Sequence, residues 1–101
     1  MVFIRGGCVY IMMNKLHTAL YVGVTSDLLA RVLKHKNNAY AGSHTSRYNC
    51  YKLVYYEFYP HIAEAIAVEK AIKGGSRKAE IKLVNDMNPE WKDLYDGLME
   101  N

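Results

Sequence analysis

The sequence predicts an α+β domain in which a small three-stranded antiparallel β-sheet is flanked by helices, in the order β-β-α-β-α-α-α. Three runs are rich in β-branched and aromatic residues, at 8–13, 18–24 and 51–59. Apolar residues recur every three or four positions in the segments between and after these runs. With 101 residues the chain has the length of one domain, and we predict that residues 1–101 form one.

The first two strands are separated by only a few residues, which is typical of a β-hairpin. Side chains alternate between the two faces of a strand, and one face of each strand is aliphatic. If the aliphatic faces form the core, Tyr10 and Tyr21 both point away from it. Gly23 shares the face of Tyr21 and is expected to leave a gap where another group approaches the backbone.

The first helix is predicted to begin after Asp27, whose side chain is of a type that caps helices, and to end near Asn37. Its expected buried stripe consists of Leu28, Leu29, Val32 and Leu33. Arg31 and His35 are four residues apart, so they lie together on one face of this helix.

A polar segment at 38–50 has no periodicity and is predicted to be a long loop. Two helices are predicted at 61–73 and 77–87, followed by a short amphipathic tail at 89–100. The expected core-facing residues of these segments are Ile62, Ala65, Ile66, Val68, Ile72, Ile81, Leu83, Val84, Met87, Trp91, Leu94 and Leu98. Glu69 borders this stripe, where a carboxylate needs a partner.

Composition excludes several classes of protein. Half of the residues are hydrophobic and 23% are charged, which is typical of a globular domain and not of a disordered chain. No apolar run is long enough to span a membrane, and the first residues do not resemble a signal peptide. Two cysteines are too few for a disulfide scaffold, so we expect a cytoplasmic protein. The four histidines fall in different predicted segments, which makes a zinc site unexpected.

Charge is divided unevenly along the chain. Residues 1–56 contain seven lysines and arginines and one acidic residue. Residues 57–101 contain six lysines and arginines and nine acidic residues. Such asymmetry is a recognised indication of nucleic-acid contact, although a basic surface can also serve solubility alone. We therefore predict that the basic half carries the face that meets a nucleic acid.

The most specific signal is an ordered set of residues on matching predicted elements. It consists of Tyr10, Tyr21, Gly23, Arg31, Glu69 and Asn88. This set, with Cys8-Val9-Tyr10 and Tyr21-Val22-Gly23 as its two strand motifs, resembles the GIY-YIG nuclease superfamily over roughly residues 7 to 95. It is most similar to the small single-domain bacterial members of that superfamily.

The resemblance implies a metal-dependent endonuclease that hydrolyses phosphodiester bonds. Tyr10 and Tyr21 would position and deprotonate the attacking water, with a lowered phenol pKa, and Arg31 would hold the scissile phosphate. Glu69 would bind one Mg²⁺ or Mn²⁺ ion. His35 would protonate the leaving group or bind phosphate. Asn88 would complete the catalytic set, with Asn85 as the runner-up.

Each of these residues also has an ordinary structural interpretation. Tyr10 and Tyr21 can form a cross-strand aromatic pair, and Arg31 can be a solvated helix charge. Asn88, which precedes a proline, can cap a helix.

The expected partner is a nucleic acid, with DNA as the first expectation, and not a membrane. Branched, nicked or single-stranded DNA of the kind met in repair and recombination is the expected substrate, with help from a protein partner or a homodimer. The expected nucleic-acid contacts are Gly23, Lys34, Ser43, Thr45 and Arg47.

Two other functions remain open. The chain is alternatively a catalytically weak nucleic-acid-binding module, because Val24 stands where some family nucleases carry a lysine. It is alternatively an adaptor that docks onto a DNA repair complex through its acidic C-terminal half.

Overall fold

The structure of the chain is a computed structural model that describes residues 6–37 and 49–99. Within these ranges it contains strands β1 (Gly7–Met13), β2 (Leu20–Thr25) and β3 (Lys52–Tyr59), and helices α1 (Leu28–Lys36), α2 (Ile62–Lys73), α3 (Arg77–Met87) and α4 (Tyr95–Met99). This order confirms the predicted α+β class. No helix in the described part of the chain is both long enough and apolar enough to cross a membrane.

The sheet has the order β2-β1-β3, and both pairings are antiparallel. The central strand places Tyr10 between Gly23 of β2 and Tyr56 of β3. On the β3 side the register shifts between Ile11 and Met12, so that Val54 is an extra residue in the ladder. The central strand is buried along its whole length.

The hairpin turn explains why β2 begins two residues later than predicted. The Asn14 carboxamide oxygen accepts hydrogen bonds from the backbone N–H groups of Thr18 (2.8 Å) and Ala19 (2.9 Å). His17 lies in the left-handed region at φ 58°, a conformation that closes the turn and ends strand pairing. These bonds hold Thr18 and Ala19 in the turn although both neighbouring segments favour strand.

Helices cover both faces of the sheet, so the domain has two apolar clusters. The α1 face is formed by Cys8, Tyr10, Met12, Leu28, Val32, Cys50, Leu53 and Leu98. The α2 face is formed by Val9, Ile11, Met13, Val22, Val54, Tyr55, Ala65 and Val84. Tyr10 and Tyr21 do lie opposite the aliphatic residues, as expected, but Tyr10 is fully buried because α1 packs over it.

Helix α2 approaches the sheet closely at Gly7. A Cβ atom on this glycine would lie 2.6 Å from Ile62 Cδ1 and 2.7 Å from Ala65 Cβ. These distances are shorter than any van der Waals contact between carbon atoms, so the helix can pack at this position only against a residue without a side chain. Gly7 therefore sets the distance of α2 from the central strand.

The buried stripes of the helices differ from the predicted ones. Four residues that were expected in the core are 37 to 46% exposed: Leu33, Ile62, Ile66 and Met87. In α1 the buried residues are Leu28, Val32 and His35, which are spaced by four and three residues. In α2 they are Ala65 and Glu69. A polar residue thus lies on the buried stripe of each helix, His35 in α1 and Glu69 in α2. Neighbouring apolar residues of both helices face solvent instead.

The predicted amphipathic tail is helical only over Tyr95–Met99. The preceding residues run along β3 instead, where the Leu94 N–H donates to the Leu53 carbonyl at 2.7 Å. The Asp93 carboxylate accepts from the backbone N–H groups of Leu53 and Tyr95 and pairs with Lys36 of α1. These contacts fasten the tail to both β3 and α1.

Candidate active site

Two tyrosines from neighbouring strands meet on the α1 face. The ring centroids of Tyr10 and Tyr21 are 6.1 Å apart and the rings are tilted by 50°. A Cβ atom on Gly23 would lie 2.5 Å from the Tyr10 hydroxyl oxygen and 2.8 Å from the Tyr21 ring. The predicted gap at Gly23 is therefore filled by the tip of Tyr10, and the glycine makes room for a side chain of the same protein.

Helix α1 places His35 over both tyrosines. The imidazole centroid lies 6.0 Å from that of Tyr10 and 5.6 Å from that of Tyr21, so the three rings form a triangle. The Tyr10 hydroxyl is 3.1 Å from His35 Nε2, which is a hydrogen bond. His35 is only 4% exposed, and its position on the buried stripe of α1 fixes the ring in this place.

Arg31 lies one turn before His35 on the same face of α1, as predicted. Its side chain hydrogen-bonds the Tyr10 hydroxyl. The residue is half-buried. The structure therefore brings four of the predicted site residues together, from two strands and one helix: Tyr10, Tyr21, Arg31 and His35.

Burial controls the protonation of this cluster. Desolvation raises the pKa of Tyr10, the neighbouring Tyr21 raises it further, and Arg31 opposes the shift. Without a metal ion the pKa of Tyr10 is thus raised and not lowered, and Tyr10 is a neutral phenol at pH 7. Burial, followed by the charge of Arg31, lowers the pKa of His35. Its imidazole is therefore neutral at pH 7.

Glu69 lies on α2, on the opposite face of the sheet from Tyr10, and Lys73 links it to Tyr21. Its side chain is 12% exposed, and its carboxylate oxygen Oε2 lies 2.6 Å from Nζ of Lys73. The same Nζ lies 5.8 Å from the centroid of the Tyr21 ring. Lys73 was not predicted as a site residue, although its spacing of four residues from Glu69 is visible in the sequence and is typical of an ion pair on a helix.

The Glu69 carboxylate fits the chemistry of a magnesium or manganese ion. Both ions prefer oxygen ligands, and Mg²⁺ is usually held by one or two carboxylates together with water and substrate phosphate. Within residues 6–37 and 49–99, no three His, Cys, Asp or Glu side chains are grouped to enclose a metal ion. A site built on this single carboxylate would therefore fill its other positions with water and with phosphate oxygens of a bound substrate.

The structure does not bring Asn88 to the tyrosines. Its carboxamide nitrogen donates to the carbonyl groups of Val54 (3.2 Å) and Lys92 (2.8 Å), and its oxygen accepts from the Lys92 N–H at 3.0 Å. Val54 is the extra residue of β3, the edge strand farther from β2. Asn88 therefore supplies a hydrogen-bond donor to the carbonyl group of the residue at the register shift. The runner-up, Asn85, is exposed and accepts a hydrogen bond from the Trp91 indole. The side-chain contacts of Asn88 are thus structural, but they join β3 and Lys92 and, contrary to what the sequence suggested, do not cap the last helix.

One of the remaining predicted contacts lies on the outer surface of α1. Lys34 is exposed there, close in sequence to His35. Ser43, Thr45 and Arg47 lie outside the described residues. Contact of these four residues with a nucleic acid stays a prediction.

Comparison with known proteins gives a consistent result. The family model of the GIY-YIG catalytic domain matches residues 6–83. A UPF0213 protein of Staphylococcus saprophyticus is 34% identical over 68 residues, which are 67% of this chain and 82% of that protein. A UPF0213 protein of Staphylococcus epidermidis is 35% identical over 68 residues, again 67% of this chain and 82% of that protein.

A solved structure is similar as well. The solution NMR structure of a UPF0213 protein from Bacillus halodurans matches with a TM-score of 0.55 and 26% identity, over 86% of this chain and 90% of that one. The names of these relatives state no activity. The match to the catalytic-domain model covers both tyrosine strands, α1 and α2, and the chain therefore belongs to the GIY-YIG nuclease family.

Proposed function

We propose that this protein is a divalent-metal-dependent endonuclease that hydrolyses phosphodiester bonds of nucleic acids. The observation that carries the proposal is the cluster on the α1 face. There two tyrosines, a neutral histidine and an arginine meet around one hydroxyl group. Membership of a nuclease family supports a nucleic acid as the partner.

Arg31 binds the scissile phosphate. A guanidinium group is always charged at neutral pH, and its planar set of donors matches the oxygens of a phosphate. Arg31 is only half-buried, so its charge is accessible to a ligand, and its contact with Tyr10 fixes its direction. In this position it stabilises the negative charge that grows on the phosphate during attack by water.

His35 accepts the proton of the attacking water. The raised pKa of Tyr10 makes its phenol a poor base at pH 7, whereas the lowered pKa of His35 leaves the imidazole free of a proton. In the tautomer that leaves Nε2 of His35 unprotonated, the Tyr10 hydroxyl donates to this nitrogen and accepts from Arg31. In that arrangement it passes a proton from the water to the imidazole. This replaces the sequence-based expectation that the tyrosines deprotonate the water by themselves.

Tyr21 and Glu69 complete the proposed set. Tyr21 contacts both Tyr10 and His35 through its ring and holds the water in line with the phosphate. Glu69 is the residue that would hold Mg²⁺ or Mn²⁺, and such an ion supplies Lewis-acid stabilisation of the phosphate when it is bound.

The finer features of the substrate rest on the family resemblance. We propose DNA rather than RNA, a branched, nicked or single-stranded structure of the repair and recombination type, and a cytoplasmic location. Targeting by a protein partner or by a second copy of the chain belongs to the same proposal.

The experiment measures cutting of end-labelled branched DNA, duplex DNA, single-stranded DNA and RNA by the purified protein with Mg²⁺. We expect Tyr10→Phe and Glu69→Gln each to lower the cutting rate about 100-fold, since each removes a group that acts in the transition state. Tyr56→Phe and Glu64→Gln are matched controls. Tyr56 lies opposite Tyr10 on β3, and Glu64 is an exposed residue of α2.

Two results would contradict this proposal. If all variants cut at the same rate, the activity belongs to a contaminant. If the protein binds DNA with the salt dependence of phosphate contacts but cuts nothing, it is a nucleic-acid-binding module.

A further inference from the structure

Lys73 occupies the carboxylate that the proposed metal ion needs. Its ammonium group lies 2.6 Å from Oε2 of Glu69. We propose that Lys73 is the resident counter-ion of Glu69, that a divalent cation must displace it in order to bind, and that Lys73 thereby sets the metal affinity of the site. This inference rests on the proposed function, because it concerns the same carboxylate.

The burial of the pair explains why a counter-ion is present. The Glu69 side chain is 12% exposed, and a carboxylate so far removed from water is costly unless it has a partner. Lys73 is placed one turn later on α2, where it reaches the carboxylate without any change in the backbone. The pair thus gives the carboxylate the charged partner that its burial requires.

The two cations compete for this carboxylate. Mg²⁺ binds carboxylate oxygens at about 2.1 Å and keeps a shell of water around it, and the ammonium group lies 2.6 Å from Oε2. An ion on either oxygen would therefore lie close to a like charge, which favours movement of the lysine away from Glu69.

Lys73 is able to move, and its alternative position is close. Its side chain is 48% exposed, so part of the chain is free to rotate through solvent. Its ammonium group already lies 5.8 Å from the centre of the Tyr21 ring, within the range of a cation–π interaction. When it leaves Glu69 it therefore keeps a favourable contact on the side of the tyrosines, which reduces the cost of exchange.

The experiment measures binding of Mn²⁺ alone to the intact protein by titration calorimetry, without nucleic acid. We expect Lys73→Met to bind Mn²⁺ about tenfold more tightly than the wild type, because the ion no longer competes with an ammonium group. Lys73→Arg retains a cation that can pair with the carboxylate through two hydrogen bonds, so it should bind Mn²⁺ no more tightly than the wild type. Lys70→Met is the matched control, because it removes the same charge from an exposed position of the same helix.

The direction of the change in Mn²⁺ affinity distinguishes this role of Lys73 from a merely structural one. If Lys73 only kept α2 in place, its removal would weaken binding, and weaker or unchanged binding would overturn the inference. The double variant Glu69→Gln with Lys73→Met should lose the tight binding, and retention of it would show that the ion lies elsewhere and overturn the inference too. Circular dichroism shows whether both proteins are folded. If both are folded and neither the wild type nor Lys73→Met binds Mn²⁺, the result contradicts the metal site of the proposed function as well.

Discussion

The two faces of the sheet are equally well covered but differ in what they bury. The α2 face has only apolar side chains in its innermost positions, contributed by all three strands and by two helices. The α1 face combines apolar residues with Tyr10, and His35 is buried against it. One strand supplies both faces, since Val9 and Ile11 alternate along β1 with Tyr10.

The α2 face therefore mainly stabilises the fold, whereas the α1 face carries the candidate active site. Apolar burial on the α2 face holds the sheet together. On the α1 face, hydrogen bonds compensate the buried hydroxyl and imidazole groups, and the same burial moves their pKa values in opposite directions. Substitutions on the two faces should therefore affect different measurements.

The largest expected effect on stability comes from the α2 face. Ile11→Ala removes a fully buried side chain from the centre of β1 and should lower the free energy of unfolding by about 3 kcal/mol. Ile66→Ala is the control, since Ile66 is 37% exposed on α2 and should cost less than about 1 kcal/mol. Urea unfolding measures both. A similar loss for the two variants would mean that the α2 face does not carry the stability of the sheet.

The next largest expected loss of stability comes from the α1 face and depends on how tightly the two tyrosines pack against Gly23. Gly23→Ala introduces a Cβ 2.5 Å from the Tyr10 hydroxyl and should destabilise the protein by about 2 kcal/mol. Gly97→Ala is the matched control, because nothing lies within 4 Å of a Cβ at that position. In a Tyr10→Ala background the cost of Gly23→Ala should fall to the part caused by the Tyr21 ring, 2.8 Å from the same Cβ. If the cost is undiminished there, the clash with Tyr10 is not part of its cause.

The fold was predictable because its strands and helices follow hydrophobic periodicity. The exceptions occur where a polar side chain overrides that pattern. Asn14 delays the start of β2 through hydrogen bonds that a propensity scale does not contain. His35 and Glu69 lie on buried stripes that periodicity assigned to Leu33 and to the isoleucines of α2, because a pattern of apolar residues cannot identify a polar residue that is buried with a partner.

The site was predictable where spacing along one element determines proximity. The i,i+4 relation of Arg31 and His35 and the pairing of the two tyrosine strands follow from regular geometry. The sign of the Tyr10 pKa shift was not predictable, because it depends on how completely α1 covers the phenol.

The place of Asn88 was not predictable either. It depends on the extra residue of β3, whose carbonyl group needs a donor from outside the ladder. Nothing in the sequence marks the position of such a register shift.

The contacts of Asn88 lead to a smaller effect, at the β3 edge of the sheet. Asn88→Ala removes two donated hydrogen bonds and one accepted one, and should lower the free energy of unfolding by about 1.5 kcal/mol. Asn85→Ala, an exposed neighbour on α3, should cost less. The cutting rate per folded molecule should stay unchanged in Asn88→Ala. A loss of cutting much larger than the loss of folded protein would restore Asn88 to the catalytic set.

The smallest effect is a dependence of stability on pH that the α1 face should impose. Burial and Arg31 lower the pKa of His35 below its ordinary value of 6.5, so the folded protein binds its proton less readily than the unfolded chain does. This contribution to stability is fully present above pH 6.5 and is lost as the pH falls through the pKa of the folded state.

Thermal unfolding between pH 7.5 and pH 5 measures this dependence. His35→Gln, which keeps a hydrogen-bond acceptor for Tyr10, should unfold at a temperature that varies less with pH than that of the wild type. His17→Gln provides the comparison at the hairpin turn, where burial and Lys52 also lower the pKa of a histidine. If His35→Gln leaves the pH dependence unchanged, the imidazole is not held neutral by its surroundings, and the proton acceptor of the proposed mechanism must be another group.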